Sequence, residues 1–257
     1  MSLFGYKNEE EFKEKCGYEI EGSWFPRVTR IVSIKSKPAL HYFYASINSY
    51  AEGERIKELS ADEGTRIHEA AQDILVGKKP TIAKDIAPAI KAFREFIADR
   101  SIEVEPNSIE RRVVNYKEKF AGTIDVLALI NGRLGVMDIK TSKAIYRDYN
   151  LQAAAYMATL MEEIKDLETK WILRIDQHRV CQKCGAVLRE KGGRKKISNG
   201  WPNDYRFRNC VHEWGPVEGK VELKEFPFWE MDYEGFLGAK KLWEWENQDW
   251  LKKIGYL

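Results

Sequence analysis

Apolar and polar positions follow two rhythms along the chain. Up to about residue 100 the apolar residues fall at helical spacing. Glu9 to Lys15 is a short charged stretch that predicts one helix. Trp24 to Ile34 is rich in strand formers. Pro38 suits a first helical turn, and Ala39, Tyr42, Phe43, Ile47 and Tyr50 then make one apolar stripe. A second helix is expected from about Ser60, where Ser60 and Glu63 read as a capping box; Ile67, Ala70, Ala71 and Ile74 share one face, and Gly77 ends it. A third spans about Asp85 to Asp99, with Asp85 as N-cap, Pro88 in the first turn and Ile90, Phe93 and Ile97 inward.

After residue 100 the rhythm changes to short apolar runs. Ile109 to Tyr116, Gly122 to Ile130 and Leu134 to Thr141 predict three strands. Asn131-Gly132 between the last two is a strong hairpin signal. A helix is expected from about Asn150 to Leu167, strands at Lys170–Ile175 and Val221–Phe226, and a last helix from Asp232 to Lys253. Trp229, and Trp243, Trp245 and Trp250 in that helix, read as core or helix-packing residues. The order is helices, a three-strand meander, a helix and a strand pair. That predicts an α/β protein: residues 1–175 and 220–257 form a mixed central sheet flanked by helices, and 176–219 is inserted between the last two strands.

Composition narrows the function classes. The chain has 257 residues, 44% hydrophobic and 32% charged, enough for a sizeable core. Lys+Arg 42 against Asp+Glu 40 leaves +2, so any surface for an acidic partner must be local. No apolar run reaches the ~20 residues of a membrane span, and Met1 to Glu19 lacks an apolar signal core. A cytoplasmic protein with no membrane partner is expected. There is no Gly-x-x-x-x-Gly-Lys for ATP and no serine at a nucleophile elbow.

The candidate chemistry lies on the meander. Asp125 is in its second strand and Asp138 in its third, and hairpin pairing brings the two carboxylates together at one end. A charge within Gly135-Val-Met-Asp138-Ile-Lys140 is costly unless paired or metal-bound. Asp138 and Lys140, two apart, share a face. Two acids and a lysine on one face suit phosphodiester hydrolysis with Mg²⁺ or Mn²⁺, and also suit an ordinary cross-strand ion pair. Gln152 and Tyr156, at i and i+4, lie on the next helix.

The ordered set His68, Gly122-Thr-Ile-Asp125, Asp138-Ile-Lys140-Thr141 and Gln152-x-x-x-Tyr156 resembles the RecB-like branch of the PD-(D/E)XK nuclease superfamily. Phe25-Pro-Arg-Val-Thr-Arg-Ile-Val-Ser, Lys37-Pro-Ala-Leu40 and Gly64-Thr-x-x-His68 look like the opening of its phage-type exonucleases. The resemblance implies a restriction-endonuclease-like core and a Mg²⁺- or Mn²⁺-dependent DNA exonuclease acting on single strands or duplex ends. Such an enzyme would serve DNA recombination, repair or replication, alongside recombination or replication proteins. It implies that His68, Asp125, Asp138 and the Ile139 carbonyl hold the metal and that Lys140 supports the nucleophilic water. Gln152 and Tyr156 would contact the strand or position Lys140. Glu110 matches an acidic family position, and Thr141 a phosphate contact. A catalytically silent scaffold that binds nucleic acid is the alternative.

The insertion adds a second candidate metal site. Cys181-Gln-Lys-Cys184-Gly185 has the spacing of a zinc knuckle, and Cys210 and His212 follow after 25 intervening residues, giving a zinc-ribbon-like Cys₃His set. His178 is an alternative fourth ligand. A [4Fe–4S] cluster on Cys16, Cys181, Cys184 and Cys210, as in some RecB-like nucleases, is a further reading; the separate insertion favours Zn²⁺. From Arg179 to Cys210 nine Lys/Arg stand against two acids. Arg189, Arg194, Lys195, Lys196, Arg206 and Arg208, with Trp201, Tyr205 and Phe207 among these cations, are candidate nucleic-acid contacts.

Overall fold

A computed structural model describes residues 5–35, 38–198 and 209–257. The chain opens with α1 (Glu9–Cys16), the hairpin β1 (Gly17–Ile20) and β2 (Ser23–Pro26), then α2 (Val28–Val32) and α3 (Pro38–Ala45). The strand-rich reading of Trp24 to Ile34 therefore holds only as far as Pro26; from Val28 the chain coils so that Val28, Ile31 and Val32 reach the core. The helix from Pro38 stops at Ala45.

Next come α4 (Tyr50–Leu75) and α5 (Ala87–Ala98). Helix α4 starts ten residues before the Ser60 expected from sequence. Ser49 is the true N-cap: its Oγ accepts from the Glu52 amide at 3.1 Å, and the Glu52 carboxylate accepts from the Asn48 amide at 3.3 Å. The same Ser-x-x-Glu pattern occurs twice, at Ser49 and Ser60, and the first instance caps the helix. Asp85 does not cap α5, whose flanking residue is Ile86; its carboxylate instead takes both Nη groups of Arg66, at 3.0 and 2.8 Å.

The strands are β3 (Ile102–Glu103), β4 (Ile109–Asn115), β5 (Phe120–Ile130) and β6 (Arg133–Lys140). Helix α6 (Tyr149–Leu160) leads into β7 (Leu167–Val180), β8 (Val187–Lys191), β9 (Arg194–Ser198) and β10 (Glu218–Glu225), and α7 (Glu230–Glu246) and α8 (Gln248–Lys253) close the chain. One mixed sheet runs β3-β5-β6-β7-β8-β9, with β4 also on β5 and β10 also on β7. Only β6 and β7 among these pairs are parallel.

Two apolar layers cover the sheet. On one side Phe12, Ile31, Met157, Phe236, Trp243 and Leu251 pack on Phe120, Leu127 and Val136. On the other, Ile67, Ala71, Ile90 and Phe93 pack on Val126, Met137, Ile139 and Leu173. Burial on both faces explains the near-continuous apolar runs of β5 and β6. The last helix breaks at Asn247, whose Nδ2 donates to the Trp243 carbonyl at 2.8 Å; Trp243 is core while Trp245 is exposed.

The insertion is less separate than its boundaries at 176 and 219 suggested. Strand β7 runs on to Val180, past the expected end at Ile175, and its last two residues pair with β8. Gly192 and Gly193, both at positive φ, turn β8 into β9. A Cβ on Gly192 would stand 2.3 Å from the Ile56 carbonyl, so this turn sits against α4.

Candidate active site and metal centre

Val136 belongs to the core row of β6, and Asp138 and Lys140 continue the same row to its end. In the antiparallel register Val126 faces Met137, so Asp125 falls opposite Asp138. The Asp125 carboxylate accepts from the Ile139 amide at 2.7 Å, tying β5 to β6 where their ladder ends. The Asn131-Gly132 turn sets this register, both residues lying at positive φ. The meander thus brings the two acids and the lysine together.

Helix α4 delivers His68 to the same cleft, with Nε2 2.9 Å from Asp125 Oδ2 and Nδ1 3.8 Å from Glu110. Glu110 has φ 49°, in the left-handed region, and interrupts the β4–β5 ladder opposite Asp125. Gln72 holds this corner: its Nε2 donates to Glu110 at 2.6 Å and to the Asp125 carbonyl at 3.1 Å. Sequence reasoning did not single out Gln72; its only signal is a polar residue one turn after His68 on the buried side of the helix.

Three residues present ligand atoms all within 4.8 Å of one another: His68, Glu110 and Asp125. Asp138 stands outside that trio, and its Oδ1 accepts from Lys140 Nζ at 2.6 Å. Its Oδ2 is buried with no hydrogen-bond partner. Such an orphaned carboxylate oxygen is costly and needs a cation or a proton. Burial, opposed by Lys140 and reinforced by Asp125, pushes the Asp138 carboxyl up to about 6. Burial also works against the charged Asp125, yet His68 and Lys140 hold its carboxyl below the ordinary value. Against the cost of burial, Asp138 and Asp125 raise Lys140, and Asp125 and Glu110 raise His68. The donor set of carboxylates and one imidazole suits a hard divalent ion.

Tyr156 is 1% exposed beneath this cleft, too buried for the strand contact expected of it; Gln152 is half-buried, and its Nε2 donates to the Tyr156 hydroxyl at 3.3 Å. Gly122 makes room for the ring, since a Cβ there would lie 2.5 Å from it. Burial and the two nearby carboxylates raise the Tyr156 hydroxyl, keeping it protonated. The cleft holds about 560 Å³; Gly64, Thr65, Ile139 and Thr141 form part of its wall.

The second cluster assembles around the turn from Cys181 to Gly185. Cys181 Sγ lies 3.9 Å from Cys210 Sγ, and Cys184 Sγ lies 3.4 Å from His212 Nδ1. All four ligand atoms fall within 4.8 Å of one another. Gly185, at φ 70°, lets its amide return to the Cys181 carbonyl at 2.8 Å, closing the knuckle. Burial opposes the Cys181 thiolate, but His212 and backbone amides pull the thiol down to about 6. Burial and the other two sulfurs push Cys210 up to about 11. The set has the spacing of a four-coordinate metal site. His178 lies apart on β7, opposite Glu218. Cys16 lies in the main core, 3.0 Å from the Tyr6 hydroxyl, and does not join the cluster as the four-cysteine reading required.

The basic residues divide. Arg189 pairs with Asp176 at 2.8 Å and donates to the Thr141 carbonyl at 2.9 Å. Lys191 donates to the Thr141 hydroxyl at 2.7 Å, a contact not foreseen from sequence. Arg194 donates to Ser46 and lies over the Phe43 ring, Lys195 pairs with Glu190, and Lys196 is exposed. Trp201, Tyr205, Arg206, Phe207 and Arg208 lie outside the described residues.

No model of a known protein family matches this chain. No curated protein matches it either. What stands is a mixed α/β sheet flanked by helices, a Cys₃His cluster beside β7 and β8, and no helix among the described residues long and apolar enough to cross a membrane.

Proposed function

We propose that this chain is a Mg²⁺- or Mn²⁺-dependent DNA nuclease with a restriction-endonuclease-like core, an exonuclease of the RecB-like branch of the PD-(D/E)XK superfamily. The observation that carries this reading is the meeting of Asp125, Asp138, Lys140 and His68 at one strand end, with a buried Asp138 oxygen left without a partner. His68, Glu110 and Asp125 would hold the ion, with Asp138 Oδ2 turned to it once deprotonated. When bound, such an ion lowers the pKa of water and neutralises phosphate charge.

The chain's own residues do the rest. Lys140, charged and anchored on Asp138, orients the attacking water and stabilises charge gathering on the phosphate. Gln72 fixes Glu110, and the Ile139 amide fixes Asp125. Gln152, above the Tyr156 hydroxyl, faces the strand. Zn²⁺ is the ion best suited to the Cys₃His set, where it would be structural. DNA is the partner, with recombination or replication proteins beyond it.

The test is digestion of end-labelled linear and circular single-stranded DNA with Mg²⁺, Mn²⁺ or neither. Loss of the linear strand alone marks an exonuclease; cut circles mark an endonuclease. Asp138→Ala and Lys140→Ala should each lower the rate by about 10³-fold, the scale of losing one preorganised electrostatic contact, with the circular dichroism spectrum unchanged. Strand binding without cleavage in every metal would instead favour the silent scaffold.

A further inference from the structure

A second cleft opens beside the carboxylates and shares Ser60, Ala61 and Thr141 with them. It holds about 370 Å³ and is lined by cations from three places: Lys143 after β6, Arg189 and Lys191 on β8, and Lys196 on β9. Hydroxyl groups of Ser142, Tyr146 and Ser198 fill the gaps, and no carboxylate lines it among the described residues. The neighbouring cleft, by contrast, is lined by Glu69, Glu110 and Asp125.

The cations are placed differently. Arg189 is engaged by Asp176 and by the Thr141 carbonyl. Lys191 gives two donors to Thr141, one to its carbonyl and one to its hydroxyl, out of the three an ammonium carries. Lys143 and Lys196 are exposed and pair with no carboxylate among the described residues. The Gly192 turn fixes Lys191: a Cβ there would lie 2.2 Å from Ser60 Oγ, so the hairpin is set against α4. Burial and the Arg189 charge pull Lys191 down to about 8, against the opposing charges of Glu63 and Asp176.

Ammonium groups and hydroxyls around an acid-free hollow match the oxygens of a phosphodiester, which accept hydrogen bonds on several sides. We infer that this cleft is a phosphate subsite, binding a backbone phosphate of the DNA strand beyond the one at the carboxylates. Lys191, Lys143 and Lys196 contact that phosphate; Arg189 is a positioning residue that holds Thr141. The inference rests on the nuclease reading for its substrate. It gives the inserted segment a specific duty, since β8 and β9 carry three of the four cations.

The test uses a fluorescent oligothymidylate with a 5′-hydroxyl, bound to the zinc-loaded protein without added Mg²⁺ or Mn²⁺ and read by anisotropy over a salt series. Lys191→Met should bind about tenfold more weakly, the scale of one charge-assisted contact. Its log–log salt slope should be shallower by about 0.7. Because Lys191 is partly buried, the double variant Lys143→Gln/Lys196→Gln, at exposed positions, must weaken binding as well. In cleavage assays both should raise KM and spare kcat.

Wild-type affinity and salt slope in both variants would overturn the subsite. So would a defect seen only with a 5′-phosphorylated strand, because the occupant would then be a terminus. A wild type that cleaves while the variants keep its KM sinks the subsite and leaves the nuclease reading standing. Lysine-dependent strand binding with no cleavage in any metal does the reverse.

Discussion

The carboxylate cleft and the Cys₃His cluster both gather metal-ligating side chains, but they stand in opposite relations to the fold. Cleft residues arrive from α4, β4, β5 and β6, and the sheet between two apolar layers holds those elements. Most of their polar groups already have partners: His68 pairs with Asp125, Lys140 with Asp138, and Glu110 accepts from the Gln72 amide, while Asp138 Oδ2 has none. Among the described residues the cysteine cluster has only a small core of its own. Cys181 and Ala186 are buried, with Cys184, Cys210 and Trp214 packed on them. In the first region the fold builds the site; in the second the ligands build the local fold. An ion lost from the cleft should therefore cost activity, and an ion lost from the cluster should cost structure.

The largest expected effect breaks the second half of that contrast. Structural zinc in small peptides supplies about 10 kcal/mol or more of apparent folding free energy. In protein loaded with zinc, Cys184→Ser, or a strong chelator, should release the metal and speed amide hydrogen exchange across residues 181–198 and 209–216. Exchange in β5 and β6 should stay as it was. Uniform acceleration over the whole chain would show that the cluster supports the main core as well. No change in exchange would show that the hairpin stands without metal.

This contrast also governs how much was legible in the sequence. The cysteine ligands were readable because they are local: Cys181-x-x-Cys184 with Cys210 and His212 is a pattern in one dimension. The meander was readable from its apolar runs and Asn131-Gly132. The acid–lysine row followed from period-two spacing at Asp138 and Lys140. Other features needed the third dimension. Gly192-Gly193 is a hairpin signal, but the inserted segment, rich in lysine and arginine, is assigned no strands from sequence. The turn from strand to helix at Val28 is a matter of burial, not propensity. Glu110 is drawn into the cleft by a left-handed backbone that no spacing encodes. Lys191 was one cation among nine until the hairpin placed it on Thr141.

A middle-sized effect tests how tightly the cleft's charges are enclosed. Asp138 titrates at about 6 in the folded chain against an ordinary 3.8. Between those values the folded state keeps a proton that the unfolded chain has released. Stability from this group is present below about 3.8 and is lost as pH rises through 6. The shift corresponds to about 3 kcal/mol. Without added Mg²⁺ or Mn²⁺, urea unfolding of the wild type should lose stability across that window relative to Asp138→Asn. Zinc linkage at the cysteine cluster is common to both proteins and cancels in the difference. Parallel stability curves would mean that the carboxyl is hydrated in solution, and that Oδ2 is not waiting for a cation.

The smallest effect sharpens the claim that the fold builds the cleft. Gln72 lines the cleft without being one of the candidate ligands, and its amide spans Glu110 and the Asp125 carbonyl. Gln72→Leu keeps the side-chain bulk on α4 and removes both donors. Glu110, exposed and otherwise free to swing, then loses the contact that aims it at His68. Supporting residues of this kind typically cost 10- to 100-fold in metal affinity, so the Mn²⁺ concentration for half-maximal activity should rise about tenfold. Activity at saturating Mn²⁺ should approach the wild type, because Asp125, Asp138 and Lys140 keep their own contacts. Loss of the saturated rate would mean that Gln72 also holds Asp125 in place through its carbonyl. An unchanged Mn²⁺ requirement would remove Glu110 from the ligand set and leave His68 and the two aspartates to hold the ion.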